Sequence, residues 1–179
     1  MGERLRRAAM RTLAALQRRR WYRRLARRLV GRTQVREATA AEALAVRERW
    51  PLEEHAASGP HSDVTTYIAF AGKRIAGWHY LQRNDAETLW PGFVLTGLYV
   101  RRCYRGLGLA RPLMQVPIDR AAREGAREVL FVANMANTPA ITLYQSMGFV
   151  AAGDGPWTTW LERVRRQYGI EETVMRLPL

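Results

Sequence analysis

The stretch of residues 92–124 constrains the fold more than any other part of the sequence. It begins with the apolar run GFVLTGLYV, continues through the basic segment RRCY and the glycine turn RGLGLA, and ends in a segment with helical periodicity. Glycine permits a tight turn and lets backbone N–H groups come close to a ligand. A strand, a glycine turn and a helix in this order place unpaired N–H groups at the positive end of a helix dipole, where phosphate binds well. The pattern therefore predicts either a phosphate site or an ordinary structural turn.

Three kinds of phosphate-binding turn compete for this segment. A dinucleotide-binding turn needs a third glycine where Arg111 stands and an acidic residue at the end of the next strand, which this chain lacks. A nucleotide P-loop needs Gly-Lys-Ser/Thr, which is also missing from the turn. The third pattern is Arg/Gln-x-x-Gly-x-Gly/Ala, which Arg105, Gly108 and Ala110 satisfy. In isolation, a pattern this short does not separate a binding site from a structural turn.

A second motif follows the glycine turn at a distance of about 30 residues. The segment NTPAITLYQSMGF has the form Asn-x-x-Ala-x-x-x-Tyr-x-x-x-Gly-Phe and contains Asn137, Ala140 and Tyr144. With both motifs in this order, the chain resembles the GCN5-related N-acetyltransferase (GNAT) family. The resemblance extends over roughly residues 34–178 and is most specific over residues 95–149.

The resemblance implies an α/β fold with acetyl-CoA as co-substrate and no metal. Its sheet is mixed, mostly antiparallel, flanked by helices, and split like a V between two central strands, with acetyl-CoA in the gap. The implied cofactor-binding residues are Leu98, Tyr99 and Val100 on the strand at the split, Arg105, Gly106, Leu107, Gly108, Leu109 and Ala110 at the pyrophosphate, and Asn137, Ala140 and Tyr144 near the pantetheine and thioester.

The implied reaction is transfer of an acetyl group from acetyl-CoA to a primary amine by direct attack. Tyr144 would act as the general acid that gives a proton to the departing thiolate. A backbone N–H near Tyr99 or Val100 would stabilise negative charge on the carbonyl oxygen. Ala140 and Tyr144 are four residues apart on a predicted helix, so they share one face. The structural alternative for Tyr144 is a packed aromatic residue with its hydroxyl at the surface.

The sequence leaves the general base and the acceptor open. His79, Asp85 and Glu87 are candidate bases, each with an alternative as an ordinary sheet or surface residue, and water could relay the amine proton instead. Small amines, protein N-termini, lysine side chains and amino sugars are all candidate acceptors, and a longer acyl group is an alternative to acetyl. The alternative function is a catalytically silent CoA-binding sensor or scaffold. The single cysteine, Cys103, excludes an internal disulfide framework.

The charge of the chain is concentrated in an N-terminal arm, residues 1–32. The whole chain has a formal net charge of +13, of which this arm supplies +11 through 12 arginines against the single acid Glu3. Its leucine spacing predicts two amphipathic helical pieces. The arm is interpreted as packing on its own domain or on a second copy in a homodimer, or as binding an anionic membrane surface, with nucleic acid a weaker alternative. A cytoplasmic protein, in part peripheral to the membrane, fits these features and the lack of a secretory signal.

The remaining residues, 33–179, are predicted to form the acetyltransferase domain. Strands are expected at residues 34–39, 64–70, 75–81, 93–100, 128–133, 149–152 and 172–177, and helices at 40–50, 108–124 and 139–147. Pro117 should kink or shorten the second of these helices. A further helical pattern within residues 153–172 predicts a helix that covers the core or forms a wall of the acceptor site.

Overall fold

The computed structural model describes residues 33–49 and 63–179. The predicted arm and the last residue of the first predicted helix, Trp50, lie outside the described residues. The strands are β1 (Thr33–Glu37), β2 (Asp63–Ala71), β3 (Arg74–Asn84), β4 (Gly92–Val100), β5 (Glu128–Asn134), β6 (Val150–Ala151) and β7 (Glu172–Pro178). The α-helices are α1 (Ala40–Arg49), α2 (Ala110–Arg123), α3 (Thr138–Gln145) and α4 (Thr158–Tyr168), and a short 3₁₀ turn covers Arg102–Tyr104.

The strands form a single seven-stranded sheet in the order β1-β2-β3-β4-β5-β7-β6. Only β4 and β5 run parallel, and the other neighbours are antiparallel. A parallel pair needs a crossover, which α2 supplies between β4 and β5. The mixed, mostly antiparallel α/β sheet predicted from the sequence is confirmed.

Helices cover both faces of the sheet. On one face, which we call the α2 face, Met114 and Ile118 of α2 pack with Tyr144 of α3. On the opposite face, which we call the α4 face, Trp160 of α4 packs over β5 and β7, and Val46 of α1 packs over β2 and β3. Among the described residues, no helix is both long and apolar enough to span a bilayer.

The sheet splits between β4 and β5. Only three residue pairs join the two strands, from Phe93 opposite Val129 to Leu95 opposite Phe131. Beyond Leu95, residues 96–100 of β4 have no partner on β5 in the described sheet. A β-bulge bends β4 at this point, because Gly97 and Leu98 together oppose His79 of β3. The predicted V-shaped opening therefore begins at Leu95.

The far end of β4 lies unusually close to β3. A Cβ atom built on Gly77 of β3 would lie 2.5 Å from the carbonyl oxygen of Tyr99 and 3.2 Å from Cα of Val100. Real side chains do not tolerate such contacts with backbone, so a glycine is needed at this position. This close approach holds the end of β4 that borders the split tightly against β3.

Two expectations for α2 differ from the structure. The helix begins at Ala110, not at Gly108, because Gly108 has a φ of 85° in the left-handed region. Of the two alternatives expected at Pro117, a kink or a shortened helix, the shortening is wrong, since α2 continues to Arg123. Proline removes the N–H that would bond to the carbonyl four residues earlier, which here belongs to Leu113. That carbonyl instead faces Nδ1 of the buried His79 at 3.2 Å.

We expect Pro117→Ala to make His79 partly dispensable for stability. In the native chain, His79→Phe leaves the buried Leu113 carbonyl without a donor and should cost about 1–3 kcal/mol of unfolding free energy. With alanine at position 117, the helix supplies its own N–H, so the same change should cost about 1 kcal/mol less. Urea unfolding of the two single variants and the double variant measures this coupling. Strictly additive losses would show that His79 does not satisfy this carbonyl.

The segment between β6 and β7 forms α4, which covers the core. Trp157, Trp160 and Val164 are buried against the sheet. The ring of Trp90 stacks on Trp157 with centroids 5.9 Å apart and meets Trp160 edge to face at 5.2 Å. These aromatic contacts anchor α4, in agreement with the expectation of a helix over the core.

Candidate functional site

The glycine turn is anchored by its leucines and exposes its glycines. The side chains of Leu107 and Leu109 are buried in an apolar cluster with Leu113. Gly106 and Gly108 are exposed and have φ angles of 78° and 85°. Only glycine adopts such angles without strain. The leucines therefore hold the turn in place, and its backbone faces outwards.

The N–H groups of this turn are available to a ligand. The N-cap residue of α2, Leu109, forms no side-chain capping bond, and the first helical bond runs from Leu113 N–H to the Leu109 carbonyl. Within the described residues, the N–H groups of Gly106, Gly108 and Ala110 have no acceptor. Free donors at a helix N-terminus suit an anionic group. The residues present thus fit the pyrophosphate of acetyl-CoA.

At Val100, the backbone N–H and carbonyl of β4 point towards the split. Hydrogen-bonded and non-bonded residue pairs alternate in an antiparallel ladder. The N–H of Arg101 donates to the carbonyl of Ala76 on β3 at 2.8 Å, so Val100 points its own N–H and carbonyl away from β3. The Val100 carbonyl accepts a hydrogen bond from Nε of Arg105 at 2.9 Å.

Arg105 lies along the same edge of β4. Its guanidinium carbon is 5.5 Å from the centroid of the Tyr99 ring, which in turn stacks on Trp78 at 4.6 Å. The side chain of Arg105 is therefore held against the end of β4 that borders the split. Of the three predicted β4 residues, Leu98 packs on the α2 face, whereas the Tyr99 ring lies on the α4 face.

The second motif begins α3 immediately after β5. Asn137 is the N-cap of α3, is exposed, and has no side-chain capping bond, while its carbonyl accepts the N–H of Ala140 at 2.9 Å. Its amide is thus not committed to the helix. The glycine turn follows the carboxyl end of β4, and Asn137 follows the carboxyl end of β5. Since β4 and β5 are parallel, both motifs lie at the same edge of the sheet, where the split opens.

Tyr144 lies on α3 within the aromatic core of the α2 face. It is 5 % exposed, and its ring meets Phe131 and Phe149 edge to face, with centroids 4.6 Å and 6.3 Å away. Burial raises the pKa of its hydroxyl to about 12. The hydroxyl therefore keeps its proton at neutral pH, as a general acid must.

Each of the three candidate bases is either buried or far from the open end of the split. His79 is fully buried, and burial lowers its pKa to about 4, so it stays neutral at pH 7 while it contacts the Leu113 carbonyl. Asp85 and Glu87 are exposed in the β3–β4 connection, which precedes β4 and so lies at the opposite end of that strand. Cys103 is exposed in the 3₁₀ turn. The described residues contain no cluster of His, Cys, Asp or Glu that could hold a metal ion.

The structure also shows buried polar residues that lie outside both sequence motifs. Thr66, Tyr80, Gln82 and Thr96 are all at most 5 % exposed, and each carries a buried polar atom without a hydrogen-bond partner in the described structure. The sequence signal for them was weak: Tyr80 and Gln82 occupy alternate positions on β3, and most of their neighbours on that strand are apolar. Strand register is required to see that the four belong together.

Comparison with known proteins identifies the family to which the chain belongs. The family model described as Acetyltransferase (GNAT) family matches residues 16–149, most of the chain. The chain belongs to the GNAT family of acetyltransferases. The match begins within the predicted arm and includes both motifs of the candidate site.

The curated relatives carry different acetyltransferase names. A mycothiol acetyltransferase of Corynebacterium glutamicum is 30 % identical over 95 residues, which are 51 % of this chain and 30 % of that relative. N-alpha-acetyltransferase 30 of Saccharomyces cerevisiae is 38 % identical over 53 residues, 30 % of either chain. The chain thus spans about a third of the length of these curated relatives.

Solved GNAT structures share the fold. A Bacillus subtilis acetyltransferase in complex with CoA superimposes with a TM-score of 0.54 at 18 % identity, over 83 % of this chain and 98 % of that one. The fold is therefore one that binds CoA in a relative, and the predicted GNAT fold is confirmed.

Proposed function

We propose that this GNAT protein transfers an acetyl group from acetyl-CoA to a primary amine, with Tyr144 as the general acid. One observation carries the proposal: the split between β4 and β5 opens at the edge where the glycine turn and α3 both begin. One motif can then hold the pyrophosphate while the other addresses the thioester end. When bound, acetyl-CoA supplies an acetyl group that is activated as a thioester.

Each motif has its own task in this proposal. The N–H groups of Gly106 and Gly108 hold the pyrophosphate, together with the charge of Arg105. The side chain of Asn137 is free to hydrogen-bond the amide or thioester region, and the small Ala140 leaves room for the pantetheine. Of the two predicted oxyanion donors, the geometry favours the N–H of Val100, because it points away from β3. The Tyr144 hydroxyl supplies the proton that the departing thiolate takes up.

The names of the relatives support an amine acceptor that is either a small molecule or a peptide N-terminus. One relative is named for mycothiol, and the other is an N-alpha-acetyltransferase. The domain is proposed to begin at residue 33 and to work in the cytoplasm. The basic arm would bring it to an anionic membrane surface or to a second copy of the chain, with nucleic acid the weaker alternative.

Amine-dependent release of CoA tests the proposed reaction. The full-length protein is incubated with acetyl-CoA and a panel of sugar amines, alkylamines and peptide N-termini, while free thiol and the mass of the acetylated product are measured. We expect thiol release that depends on the amine. Parallel reactions with propionyl- and butyryl-CoA measure acyl preference. Tight CoA binding without thiol release from any amine would instead identify a silent CoA-binding module.

A further inference from the structure

Three hydroxyl side chains form a row across the centre of the sheet. Thr66 of β2 lies opposite Tyr80 of β3, and Tyr80 lies opposite Thr96 of β4. Directly paired residues on neighbouring strands have side chains on the same face, and their Cα atoms are about 5 Å apart. Gln82 is two residues from Tyr80 on β3 and so lies on that face as well. We call these four residues the polar row.

The polar row lies on the α4 face, opposite the cofactor motifs. Tyr80 packs with Val46 of α1, and the neighbouring Val94 of β4 packs with Trp160 of α4. By contrast, α2 and Tyr144 lie on the α2 face. The row therefore lies on the face of the sheet opposite α2 and Tyr144, which it shares with the Tyr99 ring.

The row also reaches the point where the split begins. Leu95 is the last residue of β4 that pairs with β5, and Thr96 follows it directly. A molecule held by Thr96 and Tyr80 would consequently lie beside the opening between β4 and β5. This is the position from which an acceptor amine would enter the split.

All four residues have hydrogen-bonding capacity that the described chain does not use. The hydroxyls of Thr66, Tyr80 and Thr96 and Nε2 of Gln82 are buried, and none has a partner among the described residues. Burial of an unpaired polar group costs about 1–3 kcal/mol, so a cluster of four such groups calls for a ligand or bound water. Hydroxyls both donate and accept, and an amide nitrogen donates. Their matching partner is a molecule that carries several hydroxyl groups.

The charge beside the row selects against a second ammonium group. The guanidinium of Arg47 on α1 donates to the carbonyl of Val64 at 3.3 Å; burial raises the pKa of the Tyr80 hydroxyl, and the charge of Arg47 opposes that rise. A positive charge at this position attracts oxygen atoms and repels cations. Polyamines are therefore poor candidates for this site, and uncharged polyhydroxylated groups are better ones.

We propose that the polar row binds the hydroxyl groups of a polyhydroxylated amine, such as an amino sugar, and so determines which acceptor is used. This inference rests on the proposed acetyl transfer. It narrows the acceptor to an amine on a ring or chain with several hydroxyls. Thr96 and Tyr80 are then specificity-determining residues.

A matched pair of amines tests the row. D-Glucosamine and cyclohexylamine both place an amine on a six-membered ring, but only the first carries ring hydroxyls. We expect Thr96→Val and Tyr80→Phe each to lower kcat/KM for glucosamine about tenfold and to change it less than twofold for cyclohexylamine. Comparing each variant with the native protein on the same amine cancels differences in amine basicity.

Tyr67→Phe is the matched control. Its hydroxyl is also buried, but it lies near Arg120, and Tyr67 packs on the α2 face. This control should leave both amines unaffected. Thr96→Val and Tyr80→Phe each remove an unpaired buried hydroxyl, so their melting temperatures should equal or exceed that of the native protein. Loss of glucosamine transfer without loss of stability therefore separates recognition from a purely structural role.

Thermal shifts distinguish a polar row that does not bind glucosamine from a protein that does not transfer acetyl groups. Glucosamine with CoA should raise the melting temperature of the native protein and of Tyr67→Phe, but not of Thr96→Val or Tyr80→Phe. That result supports the row even if no amine releases thiol from acetyl-CoA. No shift with glucosamine, or faster transfer to a peptide N-terminus that Thr96→Val does not affect, would overturn it. In the second case the proposed acetyl transfer would still stand.

Discussion

Gly108→Ala should weaken acetyl-CoA binding by about 100-fold or more. This is the largest loss of binding that we expect from the addition of one methyl group to this chain. Gly108 has a φ of 85°, which costs alanine about 1–2 kcal/mol. The turn can relieve that strain only by rotating its backbone, and rotation moves the N–H groups away from the pyrophosphate. Isothermal titration with acetyl-CoA measures the loss directly.

Gly92→Ala controls for strain alone. Gly92 has a similar φ of 78°, and a Cβ atom there would meet no atom within 4 Å. It begins β4 and so lies at the opposite end of that strand from the glycine turn. We expect both variants to lose similar unfolding free energy and only Gly108→Ala to lose acetyl-CoA. Equal acetyl-CoA affinity in the two variants would remove the turn from the binding site.

Tyr144→Phe should lower kcat by about 100-fold or more while leaving the Kd for acetyl-CoA within about twofold. Phenylalanine keeps the ring contacts with Phe131 and Phe149 and removes only the hydroxyl. Steady-state rates with the best amine of the panel, combined with titration of acetyl-CoA, separate the two effects. Tyr67→Phe again serves as the buried-tyrosine control. An unchanged kcat would remove Tyr144 from the role of general acid.

The pH dependence of the native enzyme provides a second check on Tyr144. A buried tyrosine with a pKa of about 12 stays protonated over the whole range in which the protein is commonly assayed. Because the folded pKa lies above the unfolded value of about 10, the stability that it contributes is complete below pH 10. That contribution is lost as the pH rises from about 10 to about 12. We therefore expect kcat to show no fall from loss of the Tyr144 proton below about pH 10, so a descending limb near pH 8 would belong to another group.

The arrangement of the residues proposed to hold the cofactor was largely predictable, because local sequence encodes it. Gly106 and Gly108 need left-handed backbone, and Asn137 and Tyr144 occupy fixed places on one short helix. The predicted β4 residues are adjacent in the chain, so their alternation follows from strand geometry. The sequence did not reveal that Leu107 and Leu109 contribute only backbone to the turn, since their side chains are buried in the core. It also did not reveal that Arg105 folds back onto the Val100 carbonyl.

The polar row, the proposed acceptor side, was not predictable, because it depends on register between strands. Thr66, Tyr80 and Thr96 are far apart in the sequence, and the bulge at Gly97 and Leu98 shifts the phase of β4. The same limit explains the error at Pro117. Its effect on the Leu113 carbonyl follows from the sequence, but the compensating His79 lies 34 residues earlier, on another strand. Contacts of this kind become visible only in three dimensions.

The three-residue seam between β4 and β5 also governs how the molecule opens. Strands β1 to β4 are joined one after another by long antiparallel ladders, and β5 is joined to β7 by seven residue pairs. Backbone amides on the two sides of so short a seam should exchange with deuterium as two separate cooperative units. A ligand held by the turn after β4 and by the helix after β5 crosses that seam. Binding of such a ligand should therefore couple the two units, so that their backbone amides exchange with deuterium together.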